Sequence, residues 1–402
     1  MNPKKPKIGF FPLHTFAKPG GVKRHVLALH REFKKRGLES KIIVPRRKPI
    51  ERYEKDIKLF GTSFPFPFSG AQSDLTICFT PGSINRLLKK EKFDILHFHN
   101  FGVHSWQILE KSKSVNILTF HACIDFKKSK FFKVLPEVLN IFKKSVNEKI
   151  DGIIGVAPFN LEPFREFGFK GPMTVIPNGI DLEEFNPDVP KIKKYMDDKI
   201  NLLFLGRIEE RKGLIYLLKA YRVLQKKYKK FYPAPGSGAG LRLIIVGEGD
   251  LKDDCQKFVE KHKLKNVIFE GKIEGEKIPS YYATCDIFVA PAIFGESFGI
   301  VLLEAMATGK PVVAFSNQGY KRVLRGKGKE FLAKPKDWRG LAQKIEILIK
   351  NEKKRKEMGE WGIAEAQKYS WPKIADQVLD FYQKVIELKK EIKELKKKLK
   401  KE

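Results

Sequence analysis

Short apolar runs recur along this chain with helical spacings between them, in two successive series, and that rhythm leaves few folds open. Ile8–Phe11 is the first run. Gly20 and Gly21 follow, and Val22–Arg36 then carries Val22, Val26, Leu29 and Phe33 at helical spacing and ends at Gly37. Ser40–Pro45, Phe93–His99, Asn116–His121 and Gly152–Ala157 read as further buried strands. A second series opens at Asn201–Gly206, continues with a helix from Leu214 to about Tyr228, and adds the strands Arg242–Gly247, Val267–Glu270, Asp286–Ala290 and Pro311–Phe315. Apolar strands alternating with helices imply a parallel sheet covered on both faces. At 402 residues the chain is too long for one ordinary core. We therefore expect an α/β protein of two doubly wound domains, 1–178 and 179–370, with a helical segment 371–402 after them. Val175–Pro190, with Pro177-Asn178-Gly179 and Pro187, has the composition of a hinge. Tyr232–Gly240 reads as a surface loop.

Within the second series, Phe294–Pro311 concentrates the chemistry. Gly295-Glu296-Ser297-Phe298-Gly299 reads as a turn, Ile300–Ala307 as a helix, and Gly309 and Pro311 as its stop. Glu296 thus stands just ahead of a helix N-terminus, where free N–H groups favour an anion. Ser297 suffices as a helix cap, which leaves the charge of Glu296 for another purpose. Glu304 follows Glu296 by eight residues, a little over two helical turns, so the two acids are expected on roughly the same side. Two acids beside N–H donors suit a ligand with both hydroxyls and phosphates, such as a nucleotide sugar.

Two further elements have phosphate-binding character. Gly20-Gly21 follows the first strand and lets backbone approach an anion with no side chain between. Gly206-Arg207-Ile208-Glu209-Glu210-Arg211-Lys212-Gly213 follows the first strand of the second series. Fixed cations there would stabilise a departing diphosphate. In that run Arg211, Glu209 and Glu210 are expected to include solvent-facing groups. His97, His99, His104 and His121 suggest a metal, and His97 and His99 share one face of a strand. No cysteine or carboxylate stands at a ligand spacing nearby, and no metal is expected.

The string Glu296–Glu304 with Ser297-Phe298-Gly299 inside it, and the Gly206–Gly213 element ahead of it, resembles the signature of the retaining glycosyltransferases of family 4. The resemblance covers nearly the whole chain and is nearest to bacterial phosphatidylinositol mannosyltransferases. It implies the GT-B fold, two Rossmann-like domains facing across a cleft, with 371–402 returning toward the N-terminal, acceptor-side domain and ending in a lysine-rich extension. It further implies transfer of a hexose from a nucleoside diphosphate sugar, GDP-mannose first and a UDP-hexose second, to a hydroxyl acceptor, with no other cofactor. By the same resemblance His121 positions the sugar, Glu296 orients its hydroxyls, Arg207 and Lys212 stabilise the leaving diphosphate, and Glu304 binds the ribose. Gly20, Gly21, Gly206, Ile273, Ser297, Phe298, Gly299 and Ile300 are expected against the donor, and His99 behind the cleft. One stretch departs from the lipid mannosyltransferases: Phe66–Thr76, which corresponds to their arginine-bearing loop for the inositol phosphate, contains no arginine and carries Asp74.

Lys and Arg number 79 against 47 Asp and Glu, a formal charge of +32, which attracts polyanions such as anionic lipid headgroups or nucleic acid, unless it is a compositional bias toward lysine. Pro81–Lys92 and Phe126–Lys144 are basic and amphipathic, the latter with Lys127, Lys128, Lys130 and Lys133 among phenylalanines. They suit an anionic membrane surface as well as a solvated helix. The last helix spaces Val385, Leu388, Ile392, Leu395 and Leu399 at intervals of three and four among lysines. No apolar run is long enough to cross a membrane. Cys78, Cys123, Cys255 and Cys285 form no C-x-x-C pair and read as reduced thiols. The expected location is cytoplasmic, peripheral on the inner face of the plasma membrane, with no nucleic-acid partner. Two other classes fit less of the chain. A nucleotide-sugar epimerase shares the architecture without an acceptor, and a polyanion-binding protein leaves the acid-bearing helix unexplained.

Overall fold

A computed structural model describes residues 5–17, 20–68, 71–122, 134, 136–231 and 240–399. The chain divides into two compact units, Met1–Gly179 with Trp371–Glu402, and Ile180–Ser370.

The first unit is built on β1 (Ile8–Pro12), β2 (Ser40–Arg46), β3 (Ile57–Phe68), β4 (Ala71–Ile77), β5 (Ile95–His99), β6 (Val115–Phe120), β7 (Gly152–Gly155) and β8 (Met173–Val175). Its helices include α1 (Gly21–Lys35), α2 (Pro81–Glu91), α3 (Val103–Leu109) and α4 (Pro136–Lys149). The sheet order is β4-β3-β2-β1-β5-β6-β7-β8, parallel throughout except for the antiparallel pair β3–β4. β1 and β5 are buried along their whole length, as central strands of a two-faced sheet require, β5 with His97 and His99 in it. The C-terminal helix Trp371–Lys398 lays Ile374, Val378, Phe381 and Val385 on the same core as Phe10, Leu29 and Phe33. That spacing of four, three and four is one face of a helix. Beyond Lys389, which bonds the carbonyl of Ser114 and the carboxylate of Asp151, Ile392, Leu395 and Leu399 are exposed.

β3 and β4 take in most of Phe66–Thr76, a stretch that the sequence reading had not assigned to strands. Its described residues pair β3 with β4 antiparallel, Pro65 facing Asp74 and Pro67 facing Gln72. Two prolines in five residues argue against a strand from sequence. They are tolerated here because β3 pairs with β2 only as far as Thr62 and with β4 alone beyond it, so the missing N–H groups can lie on an open edge. The basic residues Lys127, Lys128, Lys130 and Lys133, and most of Tyr232–Gly240, lie outside the described residues.

The second unit carries β9 (Lys199–Leu205), β10 (Gly240–Val246), β11 (Val267–Gly271), β12 (Ile287–Ala290), β13 (Val312–Phe315) and β14 (Leu332–Ala333). Their order is β11-β10-β9-β12-β13-β14 and every pairing is parallel. Helix Leu214–Phe231 follows β9, helix Ile278–Thr284 precedes β12, and helix Ile300–Ala307 precedes β13. In each sheet the chain runs outward from a central strand on one side and later returns to its other side, between β1 and β5 in one unit and between β9 and β12 in the other. Ligands of open α/β sheets bind beyond the carboxyl ends of the strands at such a reversal.

Candidate active site

In the second unit the reversal brings together the segments that leave β9 and β12. Gly206 leaves β9 with φ +157, and a one-turn 3-10 helix, Glu210–Lys212, ends at Gly213 with φ +69. A Cβ on Gly213 would lie 2.1 Å from the carbonyl oxygen of Pro291, so only glycine lets this turn rest on the segment after β12. The Ile293 amide donates to the Arg211 carbonyl at 2.8 Å and ties the two segments together. Across that seam Lys212 Nζ lies 2.7 Å and Arg211 Nη1 3.0 Å from Glu296 Oε1. The Glu296 side chain is 12% exposed and that of Lys212 15%, while Arg207, paired with Glu209, is 57% exposed.

Arg211, in a run expected to include solvent-facing groups, sits on Glu296 and also ion-pairs with Glu209, while Glu210 is exposed. Two expectations change here. The helix cap is Gly299, with φ +104 and no side-chain cap bond, rather than Ser297. A Cβ there would come 2.6 Å from Tyr320, so the left-handed turn and the packing both select glycine. The helix begins only at Ile300, so Glu296 precedes it and helical spacing does not relate it to Glu304. Glu304 is 1% exposed, with Oε2 accepting from the Tyr282 hydroxyl at 2.7 Å. Phe298 is buried against Tyr369; Ile273, Ser297 and Ile300 are half-buried.

The first unit answers with histidines. His97 and His99 lie on β5 and His121 follows β6; His99 and His121 meet His25 of α1, and His97 meets Tyr382 of the C-terminal helix. His97 Nδ1 is 2.5 Å from the Tyr382 hydroxyl and its Nε2 is 2.6 Å from Thr119 Oγ1. Burial holds the Tyr382 phenol well above its ordinary value, so it stays protonated. His99 Nδ1 lies 3.0 Å from His121 Nε2, and the His121 amide donates to Asn100 Oδ1. The fourth member is His25 of α1, whose Nδ1 donates to Asn178 Oδ1 at 2.9 Å. Burial lowers His25 to about 4 and His97, His99 and His121 well below the imidazole range, with neighbouring imidazoles adding to the last three, so these rings are neutral at pH 7. His104 is separate, beside Phe60.

His25 is the residue that the sequence reading missed. Its signal was position: three after Val22 and four before Leu29, it lies on the apolar face of its helix. Gly20 and Gly21 are exposed, and a Cβ on either would meet no atom within 4 Å.

Two Rossmann-like sheets with a fixed acid and two cations at one reversal define a GT-B glycosyltransferase. The Glycosyltransferase Family 4 profile matches residues 19–184 and the Glycosyl transferases group 1 profile residues 186–364, and the chain belongs to the family 4 glycosyltransferases. It is similar to the phosphatidyl-myo-inositol mannosyltransferase of Mycobacterium leprae, 29% identical over 388 residues that cover 94% of this chain and 97% of the relative. The Mycolicibacterium smegmatis protein of the same name is 27% identical over 385 residues, 94% of each chain. Among solved structures, sucrose-phosphate synthase of Thermosynechococcus elongatus superposes with a TM-score of 0.72 at 19% identity, over 96% of this chain and all of that one. Anabaena HepE in complex with UDP does so with a TM-score of 0.72 at 18% identity, over 94% and 100%. Among the described residues no helix is long and apolar enough to cross a membrane.

Proposed function

We propose that this glycosyltransferase moves mannose from GDP-mannose, with retention of configuration, to a hydroxyl of a membrane lipid of the phosphatidylinositol type. The observation that carries the reading is Glu296 held by Lys212 and Arg211 at the strand reversal of the second unit. An arriving diphosphate competes with the carboxylate for those two cations. Glu296, released from them, accepts hydrogen bonds from the sugar hydroxyls. As the glycosidic bond breaks, the full charge of the departing diphosphate falls on Lys212, Arg211 and Arg207, and the amides that open helix Ile300–Ala307 add to it. Glu304 serves the ribose, and neutral His121 donates or accepts at the sugar without a charge of its own. Gly20 and Gly21 are not demanded by packing, which suits a role toward a phosphate.

The lipid acceptor is supported by the name shared by the mycobacterial relatives at 27–29% identity over nearly the whole chain. The exposed Ile392 and Leu395 on the last helix, and Leu399 just past its end, set among lysines, suit a peripheral attachment to the inner face of the membrane. A second reading, a UDP-hexose donor with a soluble or polysaccharide acceptor, is favoured by the arginine-free stretch with Asp74 and by the UDP bound to HepE.

Protection against thermal unfolding by a panel of GDP- and UDP-sugars decides between them, because a ligand bound only by the folded state raises its stability. GDP-mannose is expected to give the largest shift. Protection by UDP-hexoses alone favours the second reading, and no protection by any nucleotide sugar removes both. Transfer of labelled mannose to phosphatidylinositol vesicles then tests the acceptor.

A further inference from the structure

The sequence reading set a metal aside because it lacked a third ligand at a suitable spacing, and α1 supplies one. We infer that His25, His99 and His121 form a three-histidine site for a transition-metal cation of the Zn2+, Co2+ or Ni2+ kind. Their ligand nitrogens lie within 4.8 Å of one another. Their ring centres form a nearly regular triangle with sides of 4.8 Å (His25–His121), 5.3 Å (His25–His99) and 5.3 Å (His99–His121). A zinc ion takes imidazole nitrogen at about 2.0–2.1 Å in tetrahedral geometry, which puts the ring centres about 3.2 Å from the metal and about 5.2 Å apart. The triangle already has that size. Ligation asks the His99 and His121 nitrogens to part from 3.0 Å to about 3.4 Å.

The surroundings fit the same reading. Asn178 Oδ1 takes the Nδ1 proton of His25 and leaves Nε2 as its ligand atom, the arrangement by which an outer carbonyl orients a metal-bound imidazole. All three rings are neutral at pH 7, so no net charge has to be lost, and the proton in the His99–His121 hydrogen bond only shifts to the other nitrogen of its ring. His121 is half-buried where His25 and His99 are buried, so an ion has a way in and a fourth position for water or an anion. Three imidazoles without a carboxylate select borderline-soft cations over Mg2+ and Ca2+. An ion there fixes the His121 ring that the proposed transfer assigns to the sugar, so the site is inhibitory.

The test is zinc content and cobalt absorption of the full-length protein after chelator treatment and titration. About one equivalent of Zn2+ is expected to bind, with Co2+ giving the intense visible bands of a tetrahedral site. His25→Gln is expected to lose this binding. Asn178→Ala keeps all three ligands and is expected to weaken it by about 10–100-fold. His262→Gln, which changes the one histidine of the other unit, leaves it intact. Unfolded variants are recognised by their melting curves, and Asn178→Ala keeps the test open should His25→Gln fail to fold. Zinc that binds wild type and a folded His25→Gln alike, or no zinc and no cobalt bands at micromolar concentrations, overturns the proposal. Metal binding is read without any sugar substrate, so a wrong transferase reading leaves that result standing. Inhibition of transfer by Zn2+, reversed by chelator, is the arm that depends on the transferase reading.

Discussion

The two sheets reverse at the same place in their topology and fill that place with opposite chemistry. At the β9/β12 reversal the chain sets a half-buried carboxylate against lysine and arginine, all charged. At the β1/β5 reversal it sets four imidazoles that burial keeps uncharged. Topology decides where strands end; the residues on the last strand position and in the following turn decide what the site can do. An ion-pair site can exchange partners with a charged ligand at small cost near solvent. A buried neutral cluster has no such freedom, and adding a proton to it opposes folding. The contrast can be broken in several ways.

The largest effect is expected at the charged site. Glu296→Ala should lower kcat by about 10²–10³-fold, the cost of losing one transition-state contact. The melting temperature should change little, because partly exposed ion pairs contribute about 1 kcal/mol or less. Initial rates and a melting curve on the same preparation suffice. Near-normal turnover in a folded Glu296→Ala protein would sink the proposed mechanism.

The neutral site should instead answer to pH. The folded value of His25, about 4, lies below the ordinary 6.5, so between these pH values the unfolded chain binds more protons than the folded one. Stability from this group is complete above pH 6.5 and is lost as pH falls toward 4. A shift of that size is worth about 3 kcal/mol, and His97, His99 and His121 act in the same direction. Seven of the eight histidines belong to the first unit. Hydrogen exchange at pH 7 and pH 5 should therefore show β1, β5 and β6 losing protection before β9 and β12. Simultaneous loss in both sheets, or earlier loss in the second, would remove the contrast.

Much of this fold was legible in the residues because buried parallel strands are near-continuous apolar runs, and β1, β12 and the Leu202–Leu205 part of β9 are of that kind. The β3–β4 pair was not, since prolines on a strand that pairs on one side look the same as prolines in a loop. Glu296 stood out by its place before a helix. Its partner Arg211 did not, because inside Glu209–Lys212 every residue is charged and no periodicity separates inward from outward. What turns Arg211 inward is a single 3-10 turn closed by Gly213, a tertiary fit to Pro291. His25 was legible only as a polar residue on an apolar stripe, and Tyr382, 285 residues from His97, was beyond any local pattern.

Within the charged site the cations should rank by contact with Glu296. Lys212→Ala is expected to lower kcat by about 10²-fold with the nucleotide-sugar Kd raised less, since a leaving-group charge matters most late in the reaction. Arg207→Ala, at an exposed position, should cost about tenfold or less by comparison. Single-turnover rates with calorimetric Kd values separate the two effects. Equal losses for both variants would mean that proximity to Glu296 does not set the ranking.

The smallest effect is expected at Glu304, the one buried acid behind this site. Tyr282→Phe keeps the ring against Phe185 and Phe288 and removes only the hydroxyl that donates to Oε2. A hydrogen bond to a charged group contributes about 1.5–3 kcal/mol, and a small rearrangement in the pocket would recover part of it, so a loss of about 1–2 kcal/mol is expected. Urea unfolding should show a lower midpoint with an unchanged slope, because no extra surface is exposed. If Glu304 also serves the ribose, its carboxylate is less fixed in this variant, and nucleotide affinity should fall a few-fold alongside stability. An unchanged midpoint would mean that the Tyr282 hydroxyl contributes nothing to holding this acid in place.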